Sequence, residues 1–371
     1  MLQDSVNEPR SGSFDWGFVI LVMMLSVVGL INLGSALYSW GESSGMHLMW
    51  QQLIWDIAGV TLLVVMAFWD YRLLNRWTRV VYGVAIFLLV LVLFAGRVIS
   101  GHRSWLGVGG LGIQPSEIAK VATLIALARF FSDNPNPTEY RLRDLGWPAL
   151  ITVIPAGLIA AEGDLGGTLY LLLMGFTITL FAGIRKMSLM LIALVVIAAV
   201  PVGYFTVLSP YQKARIMEFV HPSRDTRGQG YQVTQSKIAV GSGRWLGKGY
   251  RNGSVNKLKY LPEKHTDFIF PVLAEEWGFL GSSFVLMLYG ALMWVIVQIG
   301  ERSCDRLGSF LCVGVAIYLF WQVAVNVGGV LGLLPMTGVT LPLLSYGGSS
   351  TLSLFAALGL VISVSRRSTL F

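Results

Sequence analysis

Apolar residues come in long uninterrupted runs along this chain, and these runs set its architecture. Ten stretches approach the length that crosses a membrane: approximately 16–38, 51–69, 79–96, 116–132, 147–162, 165–183, 188–208, 278–299, 309–333 and 350–365. A hydrocarbon core about 30 Å thick takes roughly 20 helical residues, and a helix satisfies its own backbone where no water can. The fourth and fifth runs are short or interrupted. The pattern predicts an all-α integral membrane protein of about ten transmembrane helices, one polytopic domain over residues 1–371.

Residues 209–267 break the rhythm, with no spanning run in nearly sixty residues. Loops of that length are functional or disordered, and this one is too rich in apolar residues for disorder. Tyr211, Ile216, Phe219, Tyr231, Trp245 and Tyr260 interleave with Lys and Arg. That mixture suits short helices on a membrane surface, with turns at the glycines. The segment is expected to be one long extracytoplasmic loop, serving either as a solvated cap or as a substrate-binding cap.

Composition agrees with the runs. Hydrophobic residues make up 54% of the 371 and charged residues 13%, against about 25% charged in a soluble domain. The polar start, Met1 to Asp15, lacks a basic n-region and a small-residue cleavage site, so the first run is expected to be an uncleaved anchor. Cys304 and Cys312 have no metal-ligand spacing and read as inert thiols. No internal repeat is evident.

Lysine and arginine fix the expected orientation. With the N-terminus inside, the inner segments hold Arg10, Arg72, Arg76, Arg79, Arg129, Arg141, Arg143, Arg185, Lys186, Arg302, Arg306, Arg366 and Arg367, against Arg97 and Arg103 in the short outer loops. Both termini are therefore expected in the cytoplasm. Much of the net charge of +7 lies in inner loops, which argues against nucleic acid as a partner.

Several ionisable residues fall within or beside the runs: Asp56, Glu117, Lys120, Glu162, Asp164, Glu275 and Glu276. Charge at membrane depth is costly and faces a cavity or a counter-charge. Glu117 and Lys120 are three residues apart, on one helix face. They form either a structural ion pair or the floor of a polar cavity.

Three motif stretches follow one another. The first is Gly101-His102-Arg103-Ser104-Trp105-Leu106 with Gln114-Pro115-Ser116-Glu117-Ile118-Ala119-Lys120, in which Pro115-Ser116 reads as a helix start. The second includes Gly228-Gln229-Gly230-Tyr231-Gln232, Gly241-Ser242-Gly243 and Gly247-Lys248-Gly249. It ends in Leu261-Pro262-Glu263-Lys264-His265-Thr266-Asp267-Phe268 and Ala274-Glu275-Glu276-Trp277-Gly278. The third runs from Asn326-Val327-Gly328 through Leu334-Pro335-Met336-Thr337-Gly338 and Leu341-Pro342 to Ser345-Tyr346-Gly347-Gly348.

Together these stretches closely resemble the SEDS family (shape, elongation, division and sporulation), in particular its RodA-like rod-shape members, over nearly the whole chain. The resemblance implies a peptidoglycan glycosyltransferase of the bacterial cytoplasmic (inner) membrane, polymerising lipid II into glycan strands on the extracytoplasmic face during cell elongation. The family's essential aspartate corresponds to Asp267. The chain departs from the family pattern at Ser104, where arginine is frequent, at Gly163, where proline is frequent, and at Thr226 after Asp225.

Transfer to a sugar hydroxyl requires a proton acceptor and a stabilised leaving group. Asp267, at the outer end of an apolar segment, is expected to be the general base, its pKa raised by partial desolvation. The residue-level alternative is a helix N-cap before Phe268-Ile269-Phe270. Undecaprenyl pyrophosphate would leave, held by cations drawn from Arg103, Lys213, Arg215, Lys237, Lys248, Lys257, Lys259 and Lys264, with Arg215 and Lys248 favoured. Glu117, Lys120, Glu263 and His265 complete the expected substrate-binding set, with His265 as a hydrogen-bonding neighbour and not a zinc ligand. No dedicated metal cage is evident. Mg²⁺ or Mn²⁺ would use Asp267 and substrate phosphates, and no organic cofactor is expected. Expected partners are lipid II, the nascent glycan strand, membrane lipids and a class B penicillin-binding transpeptidase. Two other functions stay open at this point: a lipid II flippase and a non-catalytic scaffold of the elongation complex.

Overall fold

The computed structural model describes residues 15–38, 42–99, 102–108, 111–136, 139–206, 213, 229–254 and 264–368. Ten long helices cover the ten apolar runs: α1 (Trp16–Leu37), α2 (Glu42–Phe68), α3 (Leu74–Ala95), α4 (Pro115–Asp133), α5 (Gly146–Ala161), α6 (Leu165–Phe181), α7 (Lys186–Thr206), α9 (Ile269–Glu301), α10 (Arg306–Val330) and α11 (Gly348–Arg367); the shorter α8 (Gln229–Ser242) lies between α7 and α9. Among the described residues, seven helices are long and apolar enough to cross a membrane. The expected count of ten exceeds these seven. At 17 residues α6 is short, and α4 carries Glu117, Lys120, Arg129 and Asp133.

Aspartates start three of the helices. Asp15, Asp164 and Asp305 each accept a hydrogen bond from a first-turn N–H, that of Phe18, Gly167 and Gly308 respectively. This satisfies one orphan donor at each helix start.

Side-chain contacts define two ends of the bundle. At one end, Tyr71 donates to Asp305 at 3.0 Å, Arg367 pairs with Asp70 at 3.3 Å and Arg366 donates to the Ala67 carbonyl. These join the α2–α3 turn, the α9–α10 turn and the last turn of α11, where two arginines also complement the helix dipole. The loops gathered here are among those richest in Lys and Arg. The opposite end gathers the motif residues.

The expectation of an all-α chain needs amending at that second end. Between α3 and α4 lies a three-stranded antiparallel sheet: β1 (Arg97–Ile99), β2 (His102–Val108) and β3 (Leu111–Ile113), in the order β1-β2-β3. This connection lies between apolar helices and is not itself a spanning run, so its backbone can pair strand to strand. Along β2, exposed Arg103 is followed by buried Ser104, successive side chains of a strand pointing to opposite faces.

Helix α8, inside the segment read as a surface loop, docks onto the bundle. Ser236 donates to the Val330 carbonyl at 2.7 Å, and Gly243 packs so closely on the Ala274 carbonyl that a Cβ would collide with it.

At 33 residues, α9 would be about 50 Å long if straight, well beyond a hydrocarbon core. It breaks at Gly278, where φ is 68° and ψ is −165°, a backbone region open chiefly to glycine. The residues after α8 fill the break. The N–H groups of Phe279 and Leu280 donate to Arg244 and Trp245 carbonyls, while the carbonyls of Glu275 and Glu276 accept from Lys248 and Gly249. Four main-chain groups orphaned by the kink are thus satisfied by one inserted loop. The piece before the kink, Ile269–Glu276, is buried throughout.

Candidate active site

Residues 264–268 form a tight turn leading into α9. Four carbonyls around this turn are held by four different donors. Tyr346 N–H binds the His265 oxygen at 2.9 Å. Ser345 Oγ binds Thr266 at 2.6 Å, Asn326 Nδ2 binds Asp267 at 3.0 Å, and Asn32 Nδ2 binds Ile269 at 3.1 Å. Asn326 lies one turn before the end of α10, and Asn32 more than one turn before the end of α1. The turn is therefore sunk into the bundle below the helix ends.

Asp267 is half-buried. Its Oδ2 lies 3.4 Å from where a Cβ would sit on Gly338, a residue with φ of 72°. The N-cap position of α9 is Phe268, which makes no side-chain cap bond. His265 is buried, with its ring 5.8 Å from that of Tyr346.

Residues 331–347 form the wall opposite the turn. This segment is irregular, yet it reaches into the bundle. Gly29 of α1 packs against the Leu343 carbonyl, Tyr289 donates to the Pro342 carbonyl, and Asn326 also holds the Val339 carbonyl at 2.7 Å. Irregular backbone at such depth is stable only when protein satisfies it or it lines a cavity. The segment also meets the α5–α6 junction, where Gly166 lies directly on the Thr337 carbonyl.

Glu117 and Lys120 form the pair that their spacing suggested, at 2.6 Å and buried, with the Lys120 ammonium 4.6 Å from the Tyr170 ring centroid. A polar seam follows the α4–α10 packing. Ser116 Oγ, Glu117 Oε2 and Thr123 Oγ1 on α4, and Tyr318 OH, Gln322 Oε1 and Asn326 Oδ1 on α10, are buried without a protein hydrogen-bond partner. The three α10 residues are spaced four apart, on one face. Buried polar atoms in native proteins are usually bonded, so this seam suits water or a polar ligand below the Asp267 turn.

The structure brings some of the expected residues to this end and commits others elsewhere. Arg103 is exposed on β2, with Nη1 donating to the Leu93 carbonyl at 3.2 Å. Lys237 lies across Gly332, and Lys264 is fully buried in the turn itself. Lys248 is paired with Glu275 at 2.6 Å, and Glu275 also accepts from Ser254 and Ser242, so this lysine braces the inserted loop. Lys213 donates to the Phe205 carbonyl. Arg215, Glu263, Lys257 and Lys259 lie outside the described residues. No group of three or more His, Cys, Asp or Glu arranged to hold a metal occurs among the described residues.

Sequence reasoning did not assign roles to Asn32, Asn326 or Ser345. Asn32 and Asn326 did carry a signal. Each is an amide within an apolar helix, costly there unless it bonds something specific.

Residues 14–370 match the FtsW/RodA/SpoVE family, described as cell cycle proteins. The chain is 38% identical over 361 residues to the peptidoglycan glycosyltransferase MrdB of Escherichia coli K12, covering 96% of each chain. Its fold resembles a chain in a solved structure on the coordination of polymerization and crosslinking by a peptidoglycan synthase complex, with TM-score 0.82, 33% identity and coverage of 96% and 98%. It also resembles the rod shape determining protein RodA of Thermus thermophilus, with TM-score 0.71, 32% identity and coverage of 95% and 97%. On these grounds the chain belongs to the FtsW/RodA/SpoVE family.

Proposed function

We propose that this protein is a peptidoglycan glycosyltransferase that polymerises lipid II during cell elongation, with Asp267 as the general base. One observation carries the assignment. Asp267 sits half-buried in a turn whose backbone is held by four donors, at the end of the bundle opposite the arginine-rich loops. Under the positive-inside rule that end faces outward. The protein is then a multi-pass protein of the cytoplasmic membrane, with ten spans, both termini inside and its chemistry on the extracytoplasmic face.

A rigid backbone with a partly desolvated carboxylate suits proton abstraction. The turn fixes where the carboxylate points, which is the positional part of catalysis. The carboxylate takes the proton of the acceptor sugar hydroxyl as that oxygen attacks the anomeric carbon of the donor. The bond from that carbon to the lipid pyrophosphate breaks, and the pyrophosphate carries away the electron pair. Among the described cations at this end, Arg103, Lys237 and Lys264 are the ones proposed to favour the departing anion. A divalent ion fits here only with substrate phosphates as its main ligands, since Asp267 is a single carboxylate; Mg²⁺ binds in this way and would neutralise phosphate charge. The irregular segment 331–347 supplies a wall along which a polyprenyl chain can lie.

The complex described for the first structural neighbour couples polymerization to crosslinking. A class B penicillin-binding transpeptidase is the corresponding partner proposed here.

Purified protein given lipid II in detergent, where there are no two sides to transport between, is expected to make glycan strands. Lipid II translocation in liposomes with no polymer under either condition would instead establish a transporter.

A further inference from the structure

Asp56 lies inside α2, a helix long and apolar enough to cross a membrane. An acidic side chain at that depth is costly and pairs with something specific. Among the described residues, its one hydrogen-bond donor is Gln52 Nε2, at 2.9 Å. The two are four residues apart, on one face of the helix.

Gln52 is buried, 4% exposed, and faces two ways. Its Oε1 accepts from the Gly347 N–H at 3.1 Å, and its Nε2 also reaches the Thr351 hydroxyl at 3.3 Å. A main-chain N–H only donates, so the Gly347 bond forms only with the amide oxygen turned toward it. The Thr351 hydroxyl donates or accepts and tolerates either orientation of the amide. The Asp56 oxygen, accepting from the amide nitrogen, selects the one orientation that serves Gly347.

Gly347 closes the irregular wall, and the two residues before it hold the Asp267 turn. Ser345 Oγ donates to the Thr266 carbonyl and the Tyr346 N–H to the His265 carbonyl. The Tyr346 hydroxyl is itself fixed by α2, donating to Gln51 Oε1 at 2.8 Å. Adjacent glutamines of α2 thus grip adjacent residues of the wall. The helices behind this grip are locked together. Gly348 packs on the Trp55 ring, Gly59 on the Phe355 ring and Gly359 on the Leu63 carbonyl, so α2 and α11 approach closely at three levels. With the helices fixed, the orientation of one amide decides whether Gly347 is held.

We infer that Asp56 is a positioning residue for the proposed transfer: it orients Gln52, which through Gly347 and Tyr346 holds the turn carrying Asp267. The inference rests on the proposed reaction for what the turn does, whereas the hold itself can be measured without turnover.

The test uses purified full-length protein in detergent, with two readouts: polymerisation of lipid II, and amide hydrogen exchange over residues 341–347. Asp56→Leu removes the acceptor. It is expected to lower kcat roughly tenfold, part of the 10²-fold that a displacement of about 1 Å costs, with KM little changed. Exchange at Tyr346 and Gly347 is expected to speed up in the same variant. Asp56→Asn keeps an oxygen that accepts from Gln52 and is expected to hold kcat and exchange near wild type. Should Asp56→Leu fold poorly, Gln52→Met removes the Gly347 acceptor and is expected to give the same two changes. Wild-type kcat in Asp56→Leu, or a loss confined to KM, would overturn the inference. So would an Asp56→Asn variant as impaired as Asp56→Leu, which would assign the role to the acid and not to its accepting oxygen. Failure of wild type to polymerise would sink the proposed reaction, and the exchange comparison would still decide whether Asp56 holds the turn.

Discussion

The side-chain amide of Asn326 reaches the main-chain oxygen of Asp267 at 3.0 Å, and the same nitrogen reaches that of Val339 at 2.7 Å. One residue of α10 therefore ties the aspartate turn to the irregular wall that borders its carboxylate. Asn326→Leu keeps the size and removes both bonds. Misplacement of a reacting group by about 1 Å costs roughly 10²-fold in rate. The variant is expected to lose about that in kcat, with a smaller change in KM. A loss confined to KM would show that Asn326 contacts substrate and does not set the turn.

The kink of α9 and the loop that fills it depend on Gly278. An alanine there must adopt φ of 68° while its Cβ meets the Gly247 nitrogen and the Trp245 oxygen. Backbone strain of this kind costs about 1–3 kcal/mol. Thermal unfolding in detergent is expected to show Gly278→Ala clearly destabilised, whereas Gly290→Ala, within the helix and with open space around it, is expected to be neutral or stabilising. Equal behaviour of the two would mean that the inserted loop does not depend on the kink.

The Glu117–Lys120 pair gives a different signature. Removing one partner leaves a buried charge alone, at a cost of about 3–5 kcal/mol, whereas replacing both by apolar residues of similar volume is often near neutral. Glu117→Gln and Lys120→Met are each expected to lower stability, and the double variant Glu117→Leu/Lys120→Met is expected to recover most of the loss. If the double variant is stable yet inactive, the pair serves the reaction through the polar seam beside it.

The helices were legible in the sequence because lipid permits so few backbone solutions: each apolar run falls mostly within a helix of the described residues. Spacing alone also anticipated the Glu117–Lys120 pair. The β2 hairpin was not legible, because a polar connection carries no period long enough to separate strand from loop. The brace between Lys248 and Glu275 was hidden for another reason. Those residues are 27 apart and meet only because Gly278 breaks α9 and admits the loop between them. Asp267 stood out through its motif, but its immobilised backbone depends on Asn32, Asn326, Ser345 and Tyr346, which come from three separate parts of the chain.

The most direct measurement is single-turnover polymerisation of lipid II by purified wild type, Asp267→Asn and Asp267→Glu, with folding checked by thermal unfolding. With Asp267 as the base, the asparagine variant folds and binds lipid II but forms the glycosidic bond about 10²–10⁴ times more slowly, while the glutamate variant retains part of the rate. Bond formation by Asp267→Asn at the wild-type rate would contradict this and assign proton removal to another group.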